Sequence, residues 1–427
     1  VAPFIAVDQE GGEVTRIRDS VPLLPGQMAL GAAGSPALAE RAGRALGGDL
    51  RRLGVTLNLA PVVDVGLPHA TIDIRSFGSD PDDVSALAAA FIRGQSDAGV
   101  ASTAKHFPGL GAATVDSHRA LPVLDLDLAE LRRTHLPPFK AAIEAGVDAI
   151  MLGHVALPRI DSERPASISP RIISLLRDEL GFDGILITDA LEMRALHSDE
   201  GGAGALAVRS IAAGADVAMT STEGEEVLAA LRRAAHSGEL TDARIRTSLR
   251  RILRVKLRRA PQTRADRDVA REIAARAVTL VRNRGNVVPL RRKMARVAYI
   301  GPAGAIASSI GARSELHPPV RFDEPSAAAW QERARAAVRD ADMIVAVAQN
   351  RSQTSLVATA RASNREAPMV FVSLGSPALI ELLPDADAYL CAYGSLETSQ
   401  AAVADVLTGL APAPGKLPVT PSKDLAP

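Results

Sequence analysis

Short apolar runs that recur between helical stretches constrain this chain most. FIAVD (4–8), VTLNLAPVVDV (55–65), VASTA (100–104), DAIMLG (148–153), GILIT (184–188) and DVAMT (216–220) are largely apolar without strict alternation. A strand with no polar face is buried on both faces, as in parallel sheets covered by helices. The intervening segments, such as SPALAERAGRALGGDLRRLG, DVSALAAAFIRGQSDAG and LPPFKAAIEAG, are amphipathic. Most of them run out at a glycine (Gly54, Gly99, Gly146, Gly181, Gly214), the residue that best takes a left-handed C-terminal cap. The repeat predicts an α/β protein with a TIM-type (β/α) barrel, a doubly wound open sheet being second. Six strands fall short of eight and the chain opens directly on a strand, so the barrel is expected to lack its first βα unit here.

At 427 residues two domains are expected. The barrel is assigned to 1–258 and a helical linker to 259–285. A smaller αβα sandwich is assigned to 286–427. The basic stretch LRRILRVKLRRAPQTRADRD after Ser248 reads as a solvated linker helix, followed by a second helix over REIAARAVTLVRN. RVAYIGP, DMIVAVAQN, PMVFVSLGS, AYLCAYG and KLPVT are the five strands expected of the sandwich.

Composition excludes several functions. Forty-nine basic and 49 acidic residues cancel, which argues against a nucleic-acid or anionic-membrane partner. No run of apolar residues is long enough to span a bilayer. The single cysteine, Cys391, forbids an internal disulfide or a thiolate cluster and reads as a buried, inert thiol. Nothing has zinc-site spacing, and neither a metal nor a cofactor is expected. The Val-Ala-Pro-Phe start leaves the compartment open, cytoplasmic or secreted. Oligomeric state is open too, with a monomer favoured.

Chemistry gathers where the barrel strands stop. Strand one delivers Asp8, then Gln9-Glu10-Gly11-Gly12 and Arg16, and Arg75 stands in the loop IDIRSFG. VASTA is expected to stop at Lys105-His106, ahead of a Gly/Ala-rich loop carrying Asp116-Ser117-His118. His154 follows DAIMLG, and Asp189 follows GILIT. Ionisable groups at one end of several strands suggest a lined pocket. Asp8, Arg16, Arg75, Lys105 and His106 suit charge-assisted hydrogen bonds to hydroxyl or amide groups. Asp189 suits a carboxylate nucleophile and His118 a general acid/base beside Asp116. His154 reads as pocket wall. His69, His135, His197, His236 and His317 read as surface or loop residues, and Glu192 as a first-turn helix residue.

VDQEGGEVTR, RSFGSDP, KHFPGLG, DSH, Pro165-Ala166-Ser167 and ITDALEM, in this order, resemble glycoside hydrolase family 3. More narrowly, they resemble its bacterial β-N-acetylglucosaminidase branch. AVTLVRN…VPL and GKLPVT resemble the family's C-terminal sandwich, so nearly the whole chain is covered. The resemblance implies a retaining exo-β-N-acetylglucosaminidase acting on peptidoglycan fragments (muropeptides) or chitooligosaccharides. Asp189 matches its nucleophile, His118 the acid/base, Asp116 the dyad partner, and Asp8, Arg16, Arg75, Lys105 and His106 the sugar-binding positions. The usual mechanism pairs two carboxylates, and a histidine in the acid role suits a site that also admits phosphate. A β-N-acetylglucosaminide phosphorylase is therefore the near alternative, followed by a weakly active sugar-binding relative. A nucleotide-dependent enzyme using YIGPAGAIASS is last, because that loop lacks a GxGxxG pattern. Leu110 and Ala112 replace the usual His and Asp of the KHFPGHG segment, Glu13 a frequent Arg, and Asp73 a frequent Gly.

Overall fold

The structure, a computed structural model, describes residues 2–19, 21–67, 70–115, 120–192, 202–258, 268–290, 296–322 and 326–419. It divides into two compact units, one of 1–10, 15–21 and 36–267, the other of 11–14, 22–35 and 268–427.

The first unit holds β1 (Ala6–Val7), followed along the chain by the short strands β2 (Gln9–Gly11) and β3 (Val14–Thr15), whose residues are divided between the units. The sheet then takes in β4 (Leu57–Asn58), β5 (Ala101–Phe107), β6 (Ala149–Leu152) and β7 (Ile185–Thr188). The order is β1-β4-β5-β6-β7, every pair parallel. A parallel bridge from Ile187 to Val217 continues the sheet toward the expected run at 216–220. This is a half-barrel of the (β/α) kind. Every residue of β5, β6 and β7 is buried, as unbroken apolar runs require. The intervening helices form where amphipathic segments placed them, at Pro36–Arg52, Pro81–Asp97 and Leu136–Glu144. Of the five cap glycines, Gly54 lies at φ 85° and Gly146 at φ 82°.

One expectation changes in this unit. VASTA does not stop at Lys105; β5 carries Lys105 and His106 inside the strand and ends at Phe107. Its ladder to β6 shifts register between Ala104 and Phe107, so polar residues are tolerated where regular pairing fails. The basic stretch is helical over 249–258, and its residues 259–267 lie outside the described residues. That described part belongs to the helix Asp242–Arg258, whose Ser248 and Val255 are buried.

That helix is tied to the sheet through Asp216, whose carboxylate meets Arg177 at 2.7 Å, Arg244 at 3.2 Å and Arg251 at 3.3 Å. It also accepts from Ser248 Oγ at 2.7 Å and the Leu186 N–H at 3.0 Å. Burial opposes the Asp216 charge, but these donors outweigh it and hold the carboxyl below its usual range. Asp216 stands before its strand position, at the end of the sheet opposite the strand termini that carry the chemistry. Charge there serves stability.

The second unit holds β8 (Thr279–Asn283), β9 (Val297–Ile300), β10 (Met343–Ala348), β11 (Met369–Ser373) and β12 (Ala388–Cys391). Their order is β8-β12-β11-β10-β9, with β8 antiparallel to β12 and the rest parallel. Helices Val269–Ala277 and Ala305–Gly311 pack on Glu397–Leu407, while Ala327–Arg339 packs on Arg351–Arg361, which makes an αβα sandwich. The fifth strand is a correction. The helix read over 271–283 ends at Ala277, and TLVRN turns to strand. Its Thr279 and Val281 are buried and alternate with half-buried Leu280 and Arg282, the period of two of a strand. KLPVT forms no strand in its described part; Pro418 offers no N–H to a ladder. Cys391 is fully buried, and burial pushes its thiol up to about 12, as an inert thiol requires. Among the described residues no helix is long and apolar enough to cross a membrane.

Candidate active site

The C-terminal ends of the first unit's strands bring most of the expected residues together. Lys105 on β5 is buried, and its Nζ lies 2.6 Å from Asp8 Oδ1 and 2.7 Å from Glu10 Oε1. Arg75, in the turn Asp73–Arg75, grips Glu10 with Nε at 2.9 Å from Oε2 and an Nη at 2.8 Å from Oε1. Paired, planar contacts of this kind are the strongest charge-assisted hydrogen bonds available to a side chain. Burial works against the Glu10 charge, yet Lys105 and Arg75 draw its carboxyl down to about 2. Burial likewise opposes the Lys105 charge, and Glu10 and Asp8 outweigh it, so the ammonium is held above its ordinary range. Gln9 fixes the turn beyond Asp8: its Oε1 accepts from the Arg16 and Ile17 N–H groups at 2.9 and 3.0 Å.

His106 is organised by Asp64, which follows β4. Asp64 Oδ2 receives His106 Nδ1 at 2.8 Å, and Oδ1 accepts from the Leu110 N–H at 2.7 Å. One buried carboxylate therefore sets both an imidazole and the loop after it. With Nδ1–H spent on Asp64, His106 presents Nε2 elsewhere. His135, read as a surface residue, is buried instead. A Cβ on Gly109, at φ 127°, would stand 2.8 Å from His135 Nδ1, so the ring packs directly beneath this loop. Burial pulls its pKa down, with Asp64 opposing.

Asp189 follows β7, and its N–H donates to Leu152 O at 2.9 Å. Its Oδ1 accepts from the Ala190 N–H at 2.8 Å. Burial would raise the pKa of this carboxyl, but His106, the Ala190 N–H and Lys105 outweigh it and keep Asp189 ionised. His154, expected in the pocket wall, is buried, with Nδ1 2.9 Å from Ser167 Oγ and Nε2 3.0 Å from Ala190 O.

Not every expected residue joins this network. The Arg16 backbone is held by Gln9, but its side chain is exposed and outside these contacts. Asp116 and His118 lie outside the described residues, as do His69 and His197. Glu192 is the last described residue before 193–201 and accepts from the Ser221 N–H at 2.6 Å. His236 is exposed at a helix end and His317 half-buried in a loop. Glu10 and Asp64 escaped the sequence reading. Asp64 carried the same signal as Asp8 and Asp189, an acidic residue closing an apolar run. Glu10 was hidden inside a turn-like Gln-Glu-Gly-Gly.

A buried, ionised carboxylate beside a cation-braced rim is equipped for nucleophilic substitution on a polar substrate. The chain's sequence agrees with that chemistry. Residues 1–255 match the glycosyl hydrolase family 3 N-terminal domain, and residues 278–426 match the family's C-terminal domain. The protein belongs to glycosyl hydrolase family 3. A beta-hexosaminidase of Stenotrophomonas maltophilia (strain K279a) is 43% identical over 223 residues, 51% of this chain and 66% of that protein. One of Pseudomonas aeruginosa (strain LESB58) is 40% identical over 238 residues, 54% of this chain and 70% of that protein. Among solved structures, a family 3 beta-N-acetylglucosaminidase from Paenibacillus superposes with a TM-score of 0.89 at 32% identity. That match covers 98% of this chain and 86% of the other.

Proposed function

We propose that this chain is a retaining exo-β-N-acetylglucosaminidase that releases terminal β-linked N-acetylglucosamine from peptidoglycan fragments or chitooligosaccharides. The observation that carries the reading is Asp189, a nearly fully buried carboxylate kept charged by its neighbours at the end of β7. The relatives above, named beta-hexosaminidase and beta-N-acetylglucosaminidase, support the substrate class.

In this reading Asp189 attacks the anomeric carbon from the face opposite the leaving group. The glycosidic C–O bond breaks and its electron pair stays with the leaving oxygen, which takes a proton from His118. His118 then removes a proton from a water that attacks the same carbon and frees Asp189. Two inversions give net retention. Asp116 orients the His118 ring, while Asp8, Arg16, Arg75, Lys105 and His106 hold the sugar's hydroxyl and amide groups. Glu10 and Asp64 hold Lys105, Arg75 and His106 in turn.

Release of p-nitrophenol from its N-acetyl-β-glucosaminide, with and without phosphate, tests the assignment. Turnover without phosphate is expected. Dependence on phosphate, with a glycosyl phosphate as product, would replace hydrolysis by phosphorolysis. The acid role of His118 makes a sharper demand, because good leaving groups need no proton. His118→Ala should slow a chitobiose-type substrate by on the order of 10²-fold or more, and a dinitrophenyl glycoside by less than about 10-fold. Steady-state rates on the two substrates decide it; equal losses would remove His118 from the acid role.

A further inference from the structure

We infer that His154 and Ser167 are positioning residues that set the attack geometry of Asp189; this rests on the proposed role of Asp189 as nucleophile. A carbonyl oxygen only accepts, so the 3.0 Å contact between His154 Nε2 and Ala190 O places the hydrogen on Nε2. Burial, acting against Asp189, pulls the imidazole below its ordinary pKa, which keeps it neutral. A neutral ring with Nε2–H has a lone pair on Nδ1, and Ser167 Oγ at 2.9 Å donates to it.

The connection therefore runs in one sense. The Ser167 hydroxyl donates to His154, His154 donates to the Ala190 carbonyl, and the Ala190 N–H donates to Asp189 Oδ1. Ala190 is held at both its polar groups, one by the imidazole and one by the nucleophile itself. The segment before His154 adds a second anchor, because the Asp189 N–H donates to Leu152 O. The origin of the relay is equally fixed. Ser167 is fully buried in the short turn Ala166–Ile168, and that turn is tied to the chain beyond His154 by the Ala166 N–H to Val155 O bond at 2.8 Å. A buried histidine whose two nitrogens are both committed cannot reach a substrate. Its position directly behind the nucleophile's neighbour makes it a fixture for that carboxylate.

A displacement of about 1 Å at a reacting group costs on the order of 10²-fold in rate, so the relay should show in the covalent step. The experiment uses the full chain and a 5-fluoro-N-acetyl-β-glucosaminyl fluoride, which glycosylates the nucleophile and turns over slowly. Labelling rate is read by intact mass and the labelled residue by peptide mapping. His154→Ala should label Asp189 roughly 30- to 100-fold more slowly, with KM for the aryl glycoside changed by less than about 3-fold. His154→Gln, whose amide N–H can replace Nε2–H, should recover to within about 5-fold of wild type, and Ser167→Ala should label about 5- to 10-fold slower.

Folded His154→Ala that labels Asp189 at the wild-type rate overturns the inference. Where His154→Ala does not fold, Ser167→Ala decides it, and labelling at the wild-type rate again overturns the relay. Label found on a residue other than Asp189 in the wild-type chain would instead refute the functional reading beneath it.

Discussion

Asp189→Asn is expected to fold like the wild-type chain and to lose N-acetyl-β-glucosaminide turnover by on the order of 10⁴-fold or more. Asparagine keeps the shape of the side chain and can still accept the Ala190 N–H on its amide oxygen. What it loses is the anionic oxygen that bonds to the anomeric carbon. The surroundings of Asp189 make this loss specific: His106, the Ala190 N–H and Lys105 hold the carboxyl ionised against the cost of burial. That arrangement suits a nucleophile and is wasted on a mere helix cap. The loss should fall on kcat, with substrate affinity nearly unchanged, because the sugar is held by other groups. Steady-state kinetics with thermal unfolding as a control measures it; a variant within 10-fold of wild type would dismiss Asp189 as the nucleophile.

The second large effect belongs to Glu10, which touches no substrate in this account. Glu10→Gln leaves Lys105 paired with Asp8 alone of its two carboxylates and takes from Arg75 its paired carboxylate. Removing one member of a buried ion cluster strands the others and costs on the order of 3 kcal/mol. The pH dependence has a definite sign. The Glu10 carboxyl sits at about 2 in the folded chain against an ordinary 4.5, so the unfolded chain takes up its proton first. The stabilisation is complete above pH 4.5, disappears as pH falls through about 2, and amounts to roughly 3 kcal/mol at neutral pH. Denaturant unfolding of wild type and Glu10→Gln across this range should show a gap that is full at pH 6 and closes toward about pH 2. A gap that ignores pH would mean that packing, not charge, holds Glu10 in place. Activity should fall with stability at neutral pH, since Lys105 and Arg75 lose their fixed orientation.

Much of this architecture was legible in the chain, for physical reasons that also mark where legibility stopped. Unbroken apolar runs can only be strands covered on both faces, so the parallel sheet of the first unit and four of the five strands of the second could be read directly. TLVRN was lost because it follows the helix Val269–Ala277 after a single residue, with no glycine or proline to separate them. KLPVT was mistaken for a strand because its apolar residues outweighed Pro418 in the reading. At the site, Asp8, Lys105, His106 and Asp189 announced themselves as charges ending apolar runs. Glu10 and His135 did not, and His154 showed its place after DAIMLG but not its partners, since these roles depend on what packs against them from distant segments. His135 stands under Gly109, and His154 meets Ser167 and Ala190. The basic helix Asp242–Arg258 hid its anchoring for the same reason, because the acceptor of its arginines, Asp216, lies elsewhere in the chain.

The most direct test is the stereochemistry of the first product. Proton NMR during hydrolysis of p-nitrophenyl N-acetyl-β-glucosaminide should show β-N-acetylglucosamine first, with the α-anomer rising only by later mutarotation. That result requires two displacements at the anomeric carbon, as the route through a glycosyl-enzyme on Asp189 does. The α-anomer appearing first would mean a single displacement by water, and it would contradict the account at its centre.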